Sequence, residues 1–284
     1  MSLLGRRGFV IVGVAAIIAL SLGVLGRFVG RKRLRFTYLT GPIPAAEYQS
    51  LAAKPGWSAS QITVAPGIRL NGLVRRPKAP DAPWVLFYQG NDAAMLRVGQ
   101  ALLSRIGEGR DWGLAIYAYR GYDSSDGVAR LSELATDAPE IVTRLCSAEH
   151  VDRARLHLVG FSIGGHLAVR AMAVAARVEP KPASLTLLAA VDDIVMVPRS
   201  FYEKFDPGDD FRTQPFLADI PAPVLVIQGT NDEALVGPGQ GRAISAKLGN
   251  RARYIELPGV GHLDLLHNDA AIAATQEFIA SNAK

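Results

Sequence analysis

Ser162 lies in residues 160–165, Gly-Phe-Ser-Ile-Gly-Gly, where its neighbours two positions to either side are glycines. A nucleophilic serine on a tight strand-to-helix turn needs such neighbours, because the strained turn leaves no room for larger side chains. The apolar run 156–159 precedes the turn, and the helix-forming segment 166–176 follows it. A glycine-serine turn without chemistry fits the same pattern, so the interpretation depends on partners elsewhere in the chain.

Two later residues offer the base and the acid that a serine nucleophile requires. Asp232 follows the run 223–228, which is typical of a buried parallel strand, and His262 ends a Pro-Gly-Val-Gly loop after the strand-like run 252–257. The carboxyl ends of parallel strands meet at one edge of a sheet, so the three residues are expected to converge. The sequence therefore predicts covalent acyl transfer, with Ser162 as nucleophile, His262 as base and Asp232 as the orienting carboxylate.

Each of these partners has a competitor. His267 lies five residues after His262, near the start of the last predicted helix, where a capping or solvent-facing side chain is the other interpretation. Asp192 and Asp193 end the earlier strand-like run 184–190 and compete with Asp232 for the role of the acid. The pattern favours His262 and Asp232, and the competitors remain open at this point.

The elements that must position these residues alternate along the chain. Strands are predicted at 61–64, 68–75, 84–88, 114–119, 156–159, 185–188, 224–227 and 254–257. Helices are predicted at 93–106, 131–146, 166–174, 239–248 and 270–279, where apolar residues recur every three or four positions. The strands from residue 84 onward are continuous apolar runs, typical of a sheet that is covered on both faces. This alternation predicts an α/β domain with a doubly wound, mostly parallel sheet of about eight strands.

From about Gln61 to the C-terminus the chain resembles the α/β-hydrolase superfamily, and it is similar to the Bem46-like group of serine hydrolases. Members of that group carry a His-Gly-Asn turn after one strand and an Arg-Gly-Tyr turn after the next. Here residues 89–91 are Gln-Gly-Asn and residues 120–122 are Arg-Gly-Tyr, so Gln89 departs from the pattern of the group.

The resemblance implies further parts of a catalytic site. The oxyanion of a tetrahedral intermediate would be held by the backbone N–H groups of Asn91 and Ile163, which do not depend on the side chain at position 89. A short lid is implied at about 194–220, and its aromatic residues either line an acyl pocket or pack this segment onto the domain.

The N-terminus carries a separate signal. Residues 8–26 contain no charged residue, and about 20 apolar residues are the length at which a helix crosses a bilayer. Arginines precede this segment, a basic stretch follows it at 27–35, and no Ala-x-Ala cleavage pattern is present. We therefore predict a membrane anchor with basic flanks at 1–35 and a catalytic domain at 36–284.

The orientation of this anchor stays open. The larger positive charge on its C-terminal side slightly favours a catalytic domain that faces the cytoplasm. In contrast, Arg6 and Arg7 before the apolar segment resemble a twin-arginine export signal, which would place the domain across the membrane.

Composition limits the partners. The net charge of +5 owes much to the basic flank, which suits anionic lipid head groups. No basic stripe with interleaved aromatic residues occurs in the catalytic region, so no nucleic-acid partner is expected. No cluster of Cys and His has the spacing of metal ligands, and acyl transfer through a serine needs neither a metal nor a cofactor.

Together these patterns predict a membrane-anchored serine hydrolase that cleaves a carboxylic ester or thioester in a small-molecule or lipid acyl substrate. Two alternatives remain: a serine peptidase of the same fold, and a binding module that retains the fold without turnover. Covalent labelling by a fluorophosphonate distinguishes an active enzyme from the binding module.

Overall fold

A computed structural model describes residues 34–36, 38–193, 202–205, 212–232 and 236–283 of the chain. The chain divides into two compact units. One contains residues 1–37 and 202–208, and the other contains residues 38–201 and 209–284. In the first unit, strand β1 (Leu34–Phe36) pairs antiparallel with strand β8 (Tyr202–Phe205).

The described part of the larger unit contains an eight-stranded sheet flanked by helices. Its strands are β2 (Trp57–Ala65), β3 (Ile68–Arg75), β4 (Trp84–Tyr88), β5 (Gly113–Tyr117), β6 (Leu156–Phe161), β7 (Ser184–Leu188), β9 (Val224–Gly229) and β10 (Ala252–Leu257). The helices are α1 (Ala45–Ala52), α2 (Met95–Ile106), α3 (Leu131–Glu149), α4 (Ile163–Ala175), α5 (Gln214–Leu217), α6 (Pro238–Leu248) and α7 (Asp269–Asn282).

The strands follow the order β2-β3-β5-β4-β6-β7-β9-β10 across this sheet. Strand β3 pairs antiparallel with both β2 and β5, and the remaining neighbours pair parallel. Every residue of β4, β5, β6, β7 and β9 is buried, because helices cover both faces of the central sheet. The prediction of a mostly parallel, eight-stranded α/β sheet is confirmed, and the carboxyl ends of the parallel strands form the edge where the candidate residues lie.

Several boundaries differ from the sequence-based prediction. Helix α1 was not predicted from the sequence. Its sequence has no apolar stripe, and Leu51 is its buried residue. Helix α3 runs to Glu149 with Pro139 inside it, and α4 begins at Ile163 rather than at 166. The earlier start of α4 matters, because it places Ser162 at the N-terminal end of the helix.

The predicted membrane segment at 8–26 lies outside the described residues. Within the described residues, no helix combines the length and the apolar character needed to cross a membrane. The predicted lid at 194–220 is described at 202–205 and 212–220, and the proposed division of the chain between residues 35 and 36 stays a prediction.

Candidate active site

Ser162 occupies a strained turn between β6 and α4. Its backbone angles are φ 55° and ψ −124°, a conformation that residues other than glycine rarely adopt. Such strain persists where the surrounding structure imposes it. Here the N–H of Ser162 donates to the carbonyl of Leu188 at 3.0 Å, and the Ser162 carbonyl accepts from the N–H groups of Gly165 at 3.0 Å and Val191 at 3.2 Å.

The glycines around Ser162 allow the strand and the helix to meet. A methyl group added at Gly164 would overlap the backbone carbonyl oxygens of Tyr88 and Gln89, and one added at Gly160 would lie 2.5 Å from the carbonyl oxygen of Gly164. A side chain at Gly164 would push the turn away from the end of β4, and one at Gly160 would push β6 away from α4. The sequence-based reason for small residues on both sides of the serine therefore agrees with the contacts of the turn.

Asp232 and His262 form a buried pair at the ends of β9 and β10. The Nδ1 of His262 lies 2.8 Å from Oδ2 of Asp232, and both side chains are almost fully buried. Since an ionised carboxylate only accepts hydrogen bonds, the histidine donates through Nδ1. In the neutral imidazole, Nε2 is then the nitrogen that can accept a proton.

Contacts between neighbouring loops explain why residues 30 positions apart meet. Strands β9 and β10 are parallel neighbours, so their following loops leave the same edge of the sheet. The N–H of Asn231 donates to the carbonyl of Val260 at 3.0 Å, and the N–H of Gly259 donates to Oγ1 of Thr230 at 2.8 Å. These bonds fix the acid loop against the histidine loop.

Gln228 is a supporting residue that the sequence analysis did not identify. From the end of β9, its Nε2 donates to Oδ2 of Asp232 at 2.8 Å, and the N–H of Val236 donates to Oδ1 at 3.2 Å. The carboxylate is therefore held at both oxygens. The available signal was the position of Gln228, a polar residue at the end of an apolar strand and four residues before the acid.

The ring of Phe161, the residue before Ser162, contacts the imidazole of His262. Phe161 stacks on the imidazole of His262 with a centroid distance of 4.7 Å and an interplanar angle of 39°. Among the described residues, Ser162 makes no hydrogen bond to His262. His262 is thus hydrogen-bonded to Asp232, and it contacts Phe161, the residue that precedes Ser162.

The turn at residues 89–91 lies directly beside Ser162. A methyl group added at Gly90 would lie 3.1 Å from Cβ of Ser162. Gln89, which replaces the expected His, is buried, and its Oε1 accepts a hydrogen bond from the N–H of Gly90 at 3.0 Å. The glutamine thus fixes the start of the turn, and the partly buried Asn91 follows.

Ile163 supplies the other predicted oxyanion donor. It is the first residue of α4 and is buried beside Ser162. The first N–H groups of a helix lack partners within the helix, and the helix dipole makes this end favourable for negative charge. The N-terminus of α4 therefore faces the edge of the sheet where an anion would form.

The competing residues lie in other surroundings. His267 is exposed and precedes Asn268, the N-cap residue of α7. Asp192 accepts a hydrogen bond from Nε2 of Gln214 at 2.7 Å, and burial raises the pKa of its carboxyl. Neither residue belongs to the hydrogen-bonded pair of Asp232 and His262.

Residues just before the segment predicted as a lid are bonded to residues within that segment. Asp193 and Arg212 form an antiparallel bridge, and the N–H of Thr213 donates to the carbonyl of Asp192 at 2.7 Å. The hydroxyl of Thr213 donates to the carbonyl of Val191 at 2.7 Å and lies 3.0 Å from Nδ1 of the buried His166. This part of the chain is therefore anchored next to α4.

Asp123 is a buried carboxyl beside the first turn of α2. Its Oδ2 accepts a hydrogen bond from the N–H of Leu96 at 2.6 Å, in the first turn of α2. The pKa of Asp123 is raised to about 6. Burial is the largest cause, and the carboxylates of Glu47 and Asp92 add to it, whereas the hydrogen bond from Leu96 and the cation of Arg97 lower the pKa. The charged form of this carboxyl is therefore disfavoured in the folded protein.

We expect Asp123→Asn to change how stability depends on pH. The ordinary pKa is 3.8 and the folded value is about 6, so between these pH values the folded protein binds more protons than the unfolded chain. The free energy of unfolding of the natural protein therefore falls as pH rises through this window. The asparagine variant keeps the acceptor oxygen without the charge, and its Tm relative to the natural protein should be higher at pH 8 than at pH 4.5.

Asp111 provides a control of opposite sign. Hydrogen bonds from the N–H groups of Lys78 and Ala79 lower the pKa of its carboxyl, so Asp111→Asn should reduce Tm at pH 8. A Tm difference for Asp123→Asn that does not vary with pH would contradict the interpretation of Asp123 as a disfavoured buried charge.

The described residues contain no group of three or more His, Cys, Asp or Glu side chains that could hold a metal ion.

Comparisons with known proteins agree with this architecture. No family model matches the chain. An uncharacterised protein of Mycobacterium tuberculosis is 28% identical over 292 residues, which cover 100% of this chain and 99% of that protein. The α/β-hydrolase domain-containing protein WAV2 of Arabidopsis thaliana is 24% identical over 223 residues, which cover 70% of each chain.

Two solved structures share the fold at low identity. The esterase Pf2001 of Pyrococcus furiosus has a TM-score of 0.66 at 13% identity, with 89% of this chain and 98% of the esterase covered. Est1E of Butyrivibrio proteoclasticus has a TM-score of 0.62 at 20% identity, with 79% and 98% covered. The chain therefore has the α/β-hydrolase fold that its sequence predicts.

Proposed function

We propose that this protein is a membrane-anchored serine hydrolase that cleaves carboxylic ester or thioester bonds through Ser162, Asp232 and His262. The observation that carries the proposal is the hydrogen bond of 2.8 Å between the buried His262 and Asp232, at the same sheet edge as the strained Ser162 turn. A buried acid-base pair beside a serine on a strained turn is the arrangement that nucleophilic catalysis requires.

The reaction proceeds in two halves. Ser162 Oγ attacks the acyl carbonyl carbon while its proton passes to Nε2 of His262, and Asp232 stabilises the resulting imidazolium. The tetrahedral intermediate then collapses, the leaving group takes the proton from His262, and an acyl-enzyme remains. Water attacks the acyl-enzyme and gives its proton to His262. The second tetrahedral intermediate then collapses, the bond between the acyl carbon and Oγ of Ser162 breaks, Oγ takes the proton from His262, and the carboxylic acid leaves.

The oxyanion of each tetrahedral intermediate is held by the N–H groups of Asn91 and Ile163 in this proposal. The proximity of Gly90 to Ser162 supports Asn91, and the position of Ile163 at the start of α4 supports the second donor. Backbone donors that are fixed before the reaction stabilise developing charge without having to reorganise.

The membrane anchor belongs to the same proposal. Its support is the uncharged segment 8–26 with its basic flanks, and these suit a bilayer with anionic head groups. A substrate with a lipid acyl chain follows from that location. Alkaline carbonate extraction tests the anchor, since release of the full chain from membranes would contradict it. The likeness to the Bem46-like group rests on the turns at 89–91 and 120–122 and is part of the proposal.

The test uses the full chain in detergent micelles. We expect p-nitrophenyl esters from acetyl to palmitoyl to be cleaved and a fluorophosphonate to label one serine, with the optimum chain length separating a small-ester esterase from a lipid or thioester hydrolase. Amino-acid p-nitroanilides serve as the comparison. Faster cleavage of these amides would favour the peptidase alternative, whereas folded protein that neither cleaves nor labels would be a binding module.

A further inference from the structure

We propose that Tyr119 and Tyr122 are positioning residues that hold the 89–91 turn, so that the N–H of Asn91 is aimed at the oxyanion. This inference rests on the proposed function, because it assigns a role within the same reaction. Both tyrosines lie in the loop that follows β5, and neither contacts Ser162 or His262 through a described hydrogen bond.

The two hydroxyl groups bond to either side of Gly90. Tyr119 donates to the backbone carbonyl of Gln89 at 2.8 Å, and Tyr122 donates to Oδ1 of Asn91 at 2.6 Å. Their rings pack edge to face with centroids 6.0 Å apart, and they are 2% and 1% exposed. The pair thus forms one buried support beneath the turn.

The peptide that carries the Asn91 N–H lies between these fixed groups. On one side the N–H of Gly90 donates to Oε1 of Gln89 at 3.0 Å. On the other side Oδ1 of Asn91 also accepts from the N–H of Leu39 at 2.8 Å. Rotation of the Gly90–Asn91 peptide would strain or break these bonds, so its direction is set before substrate binds.

The direction of this N–H matters because a hydrogen bond weakens steeply as it departs from linearity. Loss of one oxyanion donor typically lowers kcat by about 100- to 1,000-fold, and a misaligned donor retains part of that effect. Burial raises the pKa of both tyrosines, so each hydroxyl keeps its proton and remains a donor.

Tyr117 provides a matched control. It is as buried as Tyr119 and Tyr122, it lies in the adjacent strand β5, and its hydroxyl lies 3.0 Å from Oγ of Ser60, a contact outside the 89–91 turn. Tyr117→Phe removes a buried hydroxyl of the same kind, so it reports the general cost of that change.

We expect Tyr122→Phe to lower kcat for ester hydrolysis by about 10- to 100-fold while KM changes by less than about 2-fold. Tyr119→Phe should lower kcat by a smaller factor, about 5- to 10-fold, because it holds the turn one residue further from the donor. Tyr117→Phe should retain kcat within about 2-fold.

Two further readouts separate positioning from a general structural effect. A trifluoromethyl ketone adds to the serine and places its oxyanion in the same site, so its Ki should rise in Tyr122→Phe by the factor lost in kcat/KM. Asn91→Ala should lower kcat by a similar factor. The double variant with Tyr122→Phe and Asn91→Ala should lose little more, because both changes remove the same hydrogen bond between these two side chains.

The outcomes distinguish this inference from the proposed function. If the natural protein cleaves esters but folded Tyr122→Phe retains the kcat and Ki of the Tyr117→Phe control, the positioning role is overturned and the proposed function stands. If the natural protein shows no serine-dependent hydrolysis, both are overturned. If circular dichroism shows that Tyr122→Phe is unfolded, Tyr119→Phe decides the question by the same comparison.

Discussion

Ser162→Ala is expected to lower turnover of esters by about four to six orders of magnitude while the protein remains folded. The variant removes the attacking oxygen and leaves the pair of Asp232 and His262 in place. Backbone bonds to Leu188, Gly165 and Val191 hold the turn and do not involve the hydroxyl, so Tm should change by only a few degrees. Steady-state kinetics and thermal unfolding of the same preparation measure both quantities.

A second serine-histidine pair supplies the control for this prediction. Oγ of Ser184 lies 2.7 Å from Nδ1 of His157 in the middle of the sheet, where both residues are fully buried. Burial lowers the pKa of His157 to about 4, which keeps it neutral, and no substrate can reach this pair. Ser184→Ala should therefore lower stability without loss of turnover. Near-normal turnover by folded Ser162→Ala would remove the assignment of the nucleophile.

Asp232→Asn should lower kcat by about 10,000-fold, the size of effect known for the equivalent change in a serine protease. The asparagine amide can donate to Nδ1 of His262, and this bond favours the tautomer that carries its proton on Nε2. Nε2 then cannot accept the proton of Ser162. At the Oδ2 position the amide N–H group also faces the Nε2 donor of Gln228, while the remaining oxygen still accepts from the N–H of Val236.

The competing acid provides the matched control. Asp192→Asn is also a change of a buried aspartate, and the asparagine can still accept from Nε2 of Gln214. It should retain turnover within a few-fold. A large loss in Asp192→Asn with little effect in Asp232→Asn would reverse the assignment of the acid.

Much of the fold could be predicted because the relevant signals are local. Short apolar runs separated by helical patterns indicate buried parallel strands from residue 84 onward, and these six strands lie in the observed sheet together with the two predicted before them. Some elements were not predicted, because they carry no strong local signal. Helix α1 lacks an apolar stripe, and the β1–β8 pair joins segments whose partners lie about 170 residues apart in the chain.

The candidate residues of the site were also identified from local patterns. Ser162 was identified because its turn requires glycines at fixed positions, and this requirement is visible in the sequence. Asp232 and His262 were identified by their places after strands, although His267 and Asp192 satisfied the same local criteria. The hydrogen bond between His262 and Asp232 separates them from these competitors.

The sequence by itself determined the order of the strands along the chain, the small residues at the Ser162 turn, and the edge of the sheet at which the three candidate side chains would lie. The tertiary structure alone decided which acid meets which histidine, that Gln228 holds the acid, and that two tyrosines support the 89–91 turn. The physical reason is that strand and turn propensities act between residues that are close along the chain. These contacts depend instead on the packing of neighbouring loops, and they join residues 4 to 31 positions apart.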